Sequence, residues 1–279
     1  MFGVLEQWLL TDPLWRILLV LVVCLVGATY AGRFLRRLLR RDAGPDGDKE
    51  GSGQEGYVVS AVMGLLALLI GFTFAMAIDR YDTRRQQVLL EANAIGTTYL
   101  RTQLLDEPHR TRIGGLLIAY TDNRIVLAQE LPGPRQRRLL AENDRLITDL
   151  WTATVAAFPT IEARPFSNSF VDAMNLTIDM DTARKTARRA HVPPQVLVLL
   201  FLYQIAVAAT LGYVLVGRSG YPTAALVMLL FALSVTLVID IDRATSGTVV
   251  ESQEPMLWLQ ASMRASPPQV YDRFNDPPP

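Results

Sequence analysis

The chain has 279 residues, of which 50% are apolar and 19% charged, with 27 basic residues against 27 acidic ones. Its positive mean hydropathy fits a membrane protein better than a soluble one. Zero net charge gives no footprint for nucleic acid, and a single cysteine, Cys24, excludes an intrachain disulfide framework or a thiolate metal site.

Charge is absent from Ile17 to Gly32, from Tyr57 to Ile78, from Gln195 to Gly217 and from Pro222 to Ile239. At about 1.5 Å per residue, stretches of about 16 to 23 residues match a hydrocarbon core about 30 Å thick. Residues 1–41 hold an N-terminal segment and the first span. Glu6 and Asp12 precede that span and Arg33, Arg36, Arg37, Arg40 and Arg41 follow it, the reverse of a signal peptide, so it reads as an uncleaved anchor. Residues 42–56, rich in glycine and acidic residues, read as a flexible connector. The second span, 57–78, runs without a breaker into a helix on which Val88, Ala92, Ile95 and Tyr99 share one face with Tyr81.

Residues 79–192 therefore form a helical extramembrane domain. After Pro108, Ile113, Leu117 and Tyr120 mark a second helix, and Pro132, Gly133 and Pro134 punctuate the chain. A third helix is predicted over Arg135–Phe158, with Leu139, Leu146 and Leu150 inward and Pro159 ending it. A fourth follows Pro165, with Phe166, Phe170, Met174 and Thr177 on one face. The third span (195–217) and the fourth (222–239) are joined by Arg218, Ser219, Gly220 and Tyr221, which forces an antiparallel hairpin. The tail, 240–279, is predicted as a turn-rich exit to Gly247, a short helix or strand over Val249–Met263, and a disordered proline-rich end from Pro267. The fold class is an all-α integral membrane protein: four transmembrane helices in a two-plus-two layout with an inserted helical bundle. Both termini and the domain then share one side of a plasma membrane. Arginines in the short loops and arginines beside the domain give equal counts, so charge assigns no side.

The residues of an active site are missing. The only histidines, His109 and His191, lie outside the spans, which excludes a haem held in the membrane by paired imidazoles, and no phosphate loop, nucleophile elbow or HExxH motif is present. No Asp, Glu or Lys lies at membrane depth, where ion-coupled carriers need carboxylates. No cofactor and no enzymatic activity are expected. Asp240 and Asp242, with Glu251 and Glu254, are weak calcium candidates without the spacing of an EF-hand; the plainer reading is a polar helix exit partnered by Arg243.

In the second span Ser60, Gly64, Gly71 and Ala75 form a small-residue face suited to close helix packing, beside an apolar stripe of Leu68, Phe72 and Met76. One reading packs the small face inside the subunit and turns the stripe to lipid or core. The other turns the stripe to a symmetry axis, making rings of apolar side chains that gate a pore by dewetting.

The run GFTFAMAIDRYDTRRQQVLLEANAIGTTYLR (71–101), with AMNLTIDMDTARKTARRAHVPP (173–194) and IDIDRATSGTVVESQEP (239–255), resembles the bacterial bestrophin-like, or bestrophin-related, domain family, whose activity is not established. A more distant likeness to true bestrophins, which are pentameric anion channels with a cytoplasmic domain, implies a pore lined by the second span. Gly71 and Phe72 match the channels' Gly-Phe neck motif, and Leu68 stands where they carry another bulky apolar residue. The sequence departs from them at Leu68, which is not aromatic, at Gly64, which replaces a bulky residue, and at Asp240 and Asp242, which have no clear counterpart in the acidic calcium clasp.

Two functions follow as expectations: an oligomeric passive ion channel, anionic by the resemblance, with the second span lining the pore; or a non-conducting scaffold or sensor whose domain, 79–192, binds a protein partner. The bilayer and other copies of the chain are the expected partners.

Overall fold

The computed structural model describes residues 8–39, 47–214 and 220–272, and the side chains of 8–39, 56–214 and 222–272. They form α1 (Leu14–Leu39), α2 (Gly47–Thr102), α3 (His109–Gln129), α4 (Pro134–Ile161), α5 (Ser167–Arg189), α6 (Pro194–Val214), α7 (Gly220–Asp242), α8 (Glu254–Ala265) and α9 (Pro268–Tyr271). The described residues contain no strand, and α1, α2, α6 and α7 carry stretches long and apolar enough to cross a membrane. The chain is an all-α, multi-pass membrane protein.

Several boundaries differ from those read in the sequence. The connector predicted over 42–56 is helical from Gly47 onward, its earlier part lying outside the described residues. Helix α4 passes through Pro159 to Ile161, one turn beyond the predicted stop; Pro159 disturbs little so close to the helix end, where Ala157 and Ile161 are buried. The alternative left open for 249–263 resolves to the helix α8. The tail predicted as disordered from Pro267 continues as α9, and Asp272 accepts a bidentate pair of bonds from Arg110 at 2.8 and 2.7 Å; residues 273–279 lie outside the described set.

The chain divides into two units, Met1–Arg80 with His191–Val249, and Tyr81–Ala190 with Val250–Pro279. The first holds the four spans. Ile17, Leu21 and Leu25, spaced by four on α1, meet Leu200, Val207 and Leu211 of α6 and Met228, Ala232 and Val235 of α7, with Val59 and Leu66 of α2 beside them. Lipid tails are as apolar as leucine, so packing rather than hydrophobicity must hold these helices together. The closest approach is between α1 and α6. A Cβ added at Gly32 would fall 1.8 Å from the Ala209 carbonyl oxygen, and one at Gly212 would fall 1.9 Å from that of Thr29. The crossing is antiparallel and reciprocal. Arg36 closes it by donating from Nη1 to the carbonyl of Tyr213, in the last turn of α6, at 2.8 Å.

The second unit packs α3, α4, α5 and the later part of α2 around Val88, Ile95, Tyr99, Ile113, Leu117, Leu150, Phe170 and Met174, and α8 adds Met256 and Met263. Each such buried side chain contributes about 1.5–3 kcal/mol.

Candidate functional site

The second span is the least covered of the predicted features. Along α2 within the first unit, Val59, Leu66, Thr73 and Ala77 are buried, a narrow edge repeating every seven, seven and four residues. Val62, Met63, Leu69 and Ile70 pack partly against the core beside that edge, and the remaining face is open. Leu68 is 52% and Phe72 61% exposed, Gly64, Gly71 and Ala75 are exposed, and Met76 is partly covered. A Cβ at Gly64 or Gly71 would meet nothing within 4 Å. Neither glycine therefore serves packing inside this chain. That role falls to Gly32 and Gly212, each four residues after an alanine (Ala28 and Ala208), in a contact between residues more than 170 apart in the chain.

The exit of α7 holds Asp240 and Asp242 by the chain's own donors. Asp240 Oδ1 accepts from the Thr248 amide at 2.6 Å and its Oδ2 from the Thr248 hydroxyl. Asp242 Oδ1 accepts from the Val192 amide at 2.9 Å, and its carbonyl lies 3.1 Å from His191 Nδ1. Gly247 is required here, since a Cβ would fall 2.4 Å from the Asp240 carbonyl oxygen. Arg243, expected as the partner of these carboxylates, is drawn electrostatically by Asp240 and donates through Nε to the Leu9 carbonyl at 2.9 Å and through Nη2 to that of Asp12 at 2.6 Å. No metal-ligand cluster is assembled among the described residues. The two aspartates tie loops together, whereas Glu251 pairs with Arg188 in the second unit and Glu254 is exposed in the first turn of α8.

A buried ionic network in the second unit escaped the sequence reading. Glu91 of α2 is fully buried and receives Arg124 of α3, whose Nε is 2.7 Å from Oε1, Arg184 of α5, and the Tyr120 hydroxyl at 2.7 Å. Asp181, one turn before Arg184 and Lys185, accepts from Asn143 Nδ2 of α4 at 3.0 Å and pairs with Lys185 Nζ at 2.7 Å. Arg184 also donates to Gln253 Oε1 at 2.5 Å, and Arg188 Nε lies 3.2 Å from Glu251 Oε1. Four helices and the segment before α8 thus share one charged core. The signal was present in phase: Glu91 falls beside Val88, Ala92 and Ile95, Arg124 continues Ile113, Leu117 and Tyr120, and Arg184 continues Phe170, Met174 and Thr177.

Burial pushes the Glu91 carboxyl up, but Arg124 and Arg184, with the bonds from Arg184 and Tyr120, outweigh it and hold the group below its ordinary 4.5. Burial, with Arg184, Arg124 and Arg84 nearby, brings the Arg188 guanidinium down to about 10 against the pull of Glu251. The Tyr120 hydroxyl, raised by burial and by Glu91, stays protonated and can only donate to that carboxylate. Since the folded pKa of Glu91 is depressed, its stabilisation is complete above 4.5 and lost as pH falls through the folded value. Thermal melts of the detergent-solubilised protein should accordingly show acid loosening of the helical unit below pH 4.5, but not between that value and neutrality. A melting temperature flat down to the lowest pH tested would contradict this.

The comparisons with known proteins agree with this architecture. The model of the Bestrophin-like domain family matches residues 18–256. Among solved structures, a substituted form of a bacterial bestrophin homologue from Klebsiella pneumoniae is similar at 14% identity and a TM-score of 0.60, over 91% of this chain and 96% of that one. Another structure of a bacterial bestrophin homologue from Klebsiella pneumoniae, phased on zinc, gives 15% identity and a TM-score of 0.59 over 95% and 100%. A structure described only as a membrane protein gives 16% and 0.56 over 95% and 99%. No curated protein matches significantly. At such low identity the structures speak for the fold alone, whereas the family match runs from the first span through the helical unit to the start of α8: the chain belongs to the Bestrophin-like domain family.

Proposed function

We propose that the chain assembles as a homo-oligomer with α2 toward the symmetry axis and forms a passive ion pathway constricted by Leu68, Phe72 and Met76. The supporting observation is the open face of α2. Phe72 and Leu68 project from the single chain while the opposite edge of the same helix is buried. Small residues at 64, 71 and 75 flank that stripe; all three are exposed and a Cβ at either glycine would touch nothing of its own chain, which leaves room for a neighbouring copy to approach closely. Without an ionisable group at membrane depth, the pathway is passive rather than coupled. The likeness of Gly71 and Phe72 to the bestrophin neck motif supports the same assignment.

Reconstitution of the full chain in planar bilayers tests it. Current is expected from an oligomeric particle, and Phe72→Ala, which removes a bulky apolar ring from the constriction, should raise it. A dewetting barrier lower by about 1.4 kcal/mol corresponds to about tenfold in current. A silent monomer in nanodiscs would overturn the proposal and return the chain to a scaffold or sensor role.

A further inference from the structure

We infer that Asp79 sets the ion preference of the α2 pathway, and that it selects cations over anions. The inference rests on the reading of α2 as the pore helix and departs from the anion pathway that the bestrophin resemblance implies. Its basis is a line of exposed residues on α2: Leu65, Leu68, Phe72, Ala75 and Asp79 recur at intervals of three, four, three and four, and every one is exposed. A repeat averaging 3.5 residues is the period that keeps one face of a helix toward its neighbours in a left-handed bundle. The face that would bring Phe72 to an axis therefore brings Asp79 there as well, two turns on and about 10 Å along it.

Asp79 differs from the acidic groups beside α1 and α7. Asp240 and Asp242 are buried and spent on Thr248 and Val192, and Asp12 pairs with Arg16 at 3.2 Å. Asp79 makes no hydrogen bond or ion pair among the described residues. Its neighbour Arg80 is turned about 100° around the helix, off the exposed line, and is partly covered. Copies arranged around an axis would repeat the Asp79 carboxylate as a ring, with no basic residue on the line between it and the apolar constriction. Carboxylate rings of this kind concentrate cations at a pore mouth, and the low-dielectric walls focus the field. An apolar ring sets when ions pass; the carboxylate ring sets which ones.

The test is the reversal potential of the full-length protein in planar bilayers under a KCl gradient. The expected value lies toward the potassium equilibrium potential. Asp79→Asn should lower the cation-to-anion permeability ratio several-fold, Asp79→Glu should keep it, and Phe72→Ala should raise current without reversing the preference. Reversal at the chloride potential, or a preference unchanged in Asp79→Asn, overturns the inference while leaving a conducting pore sensitive to position 72. Absence of current from the wild type and all variants overturns the pore reading and this inference with it.

Discussion

Glu91→Ala is expected to destabilise the helical unit by about 3–5 kcal/mol, the scale for removing one partner of a buried ion pair. The cost comes from what stays behind. Arg184 and Arg124 are 1% and 3% exposed, and both direct charge at the missing carboxylate. No solvent can replace it at that depth, and Tyr120 would lose its acceptor as well. Thermal unfolding of the solubilised protein, followed by circular dichroism, should show a fall of many degrees or a failure to recover folded protein. Glu91→Gln should fall between, since the amide oxygen still accepts the Tyr120 bond but carries no charge. Replacing Glu91, Arg124 and Arg184 together by apolar residues of similar volume should cost less than Glu91→Ala alone, because no unpaired charge is then left buried. An additive series, with the triple variant as the worst, would show that the network is not one unit.

The apolar periodicities read in the sequence carried the helical unit well because that signal is local. Val88, Ala92, Ile95 and Tyr99, and likewise Phe170, Met174 and Thr177, are buried as a 3.6-residue repeat requires. The charges in the same phase were harder to read. A glutamate within such a repeat marks either a helix edge or a buried partner, and only the meeting of α2, α3 and α5 decides which. Pro159 illustrates a milder limit, since one proline near a helix end does not fix the boundary to the residue. At the spans the difficulty is of another kind. Every face of a lipid-bathed helix is apolar, so hydropathy locates α2 in the membrane but says little about which side meets protein. Gly64 and Gly71 have the spacing of packing glycines and meet nothing in their own chain, whereas Gly32 and Gly212 make the tightest contact described, although Gly32 is five residues from Gly27, off its face of α1, and Gly212 has no second glycine in α6.

That contact makes Gly32→Ala the second large effect to expect. The new methyl would fall 1.8 Å from a backbone oxygen of α6, and backbone, unlike the end of a flexible side chain, yields only if the helices part. Parting them loosens Ile17, Leu21 and Leu25 from α6 and draws Arg36 off the Tyr213 carbonyl. The cost should reach or exceed the upper end of the about 1–3 kcal/mol usual for overpacking. Gly27→Ala supplies the control within α1, because nothing lies within 4 Å of its Cβ position; it should be neutral or slightly stabilising. Gly212→Ala should behave like Gly32→Ala, as the opposite methyl would meet Thr29 at 1.9 Å. The double variant should cost less than the sum, since helices already separated for one methyl admit the other. Melting temperatures of the four variants in one detergent check the set, and a Gly32→Ala protein as stable as Gly27→Ala would refute the close crossing of α1 and α6.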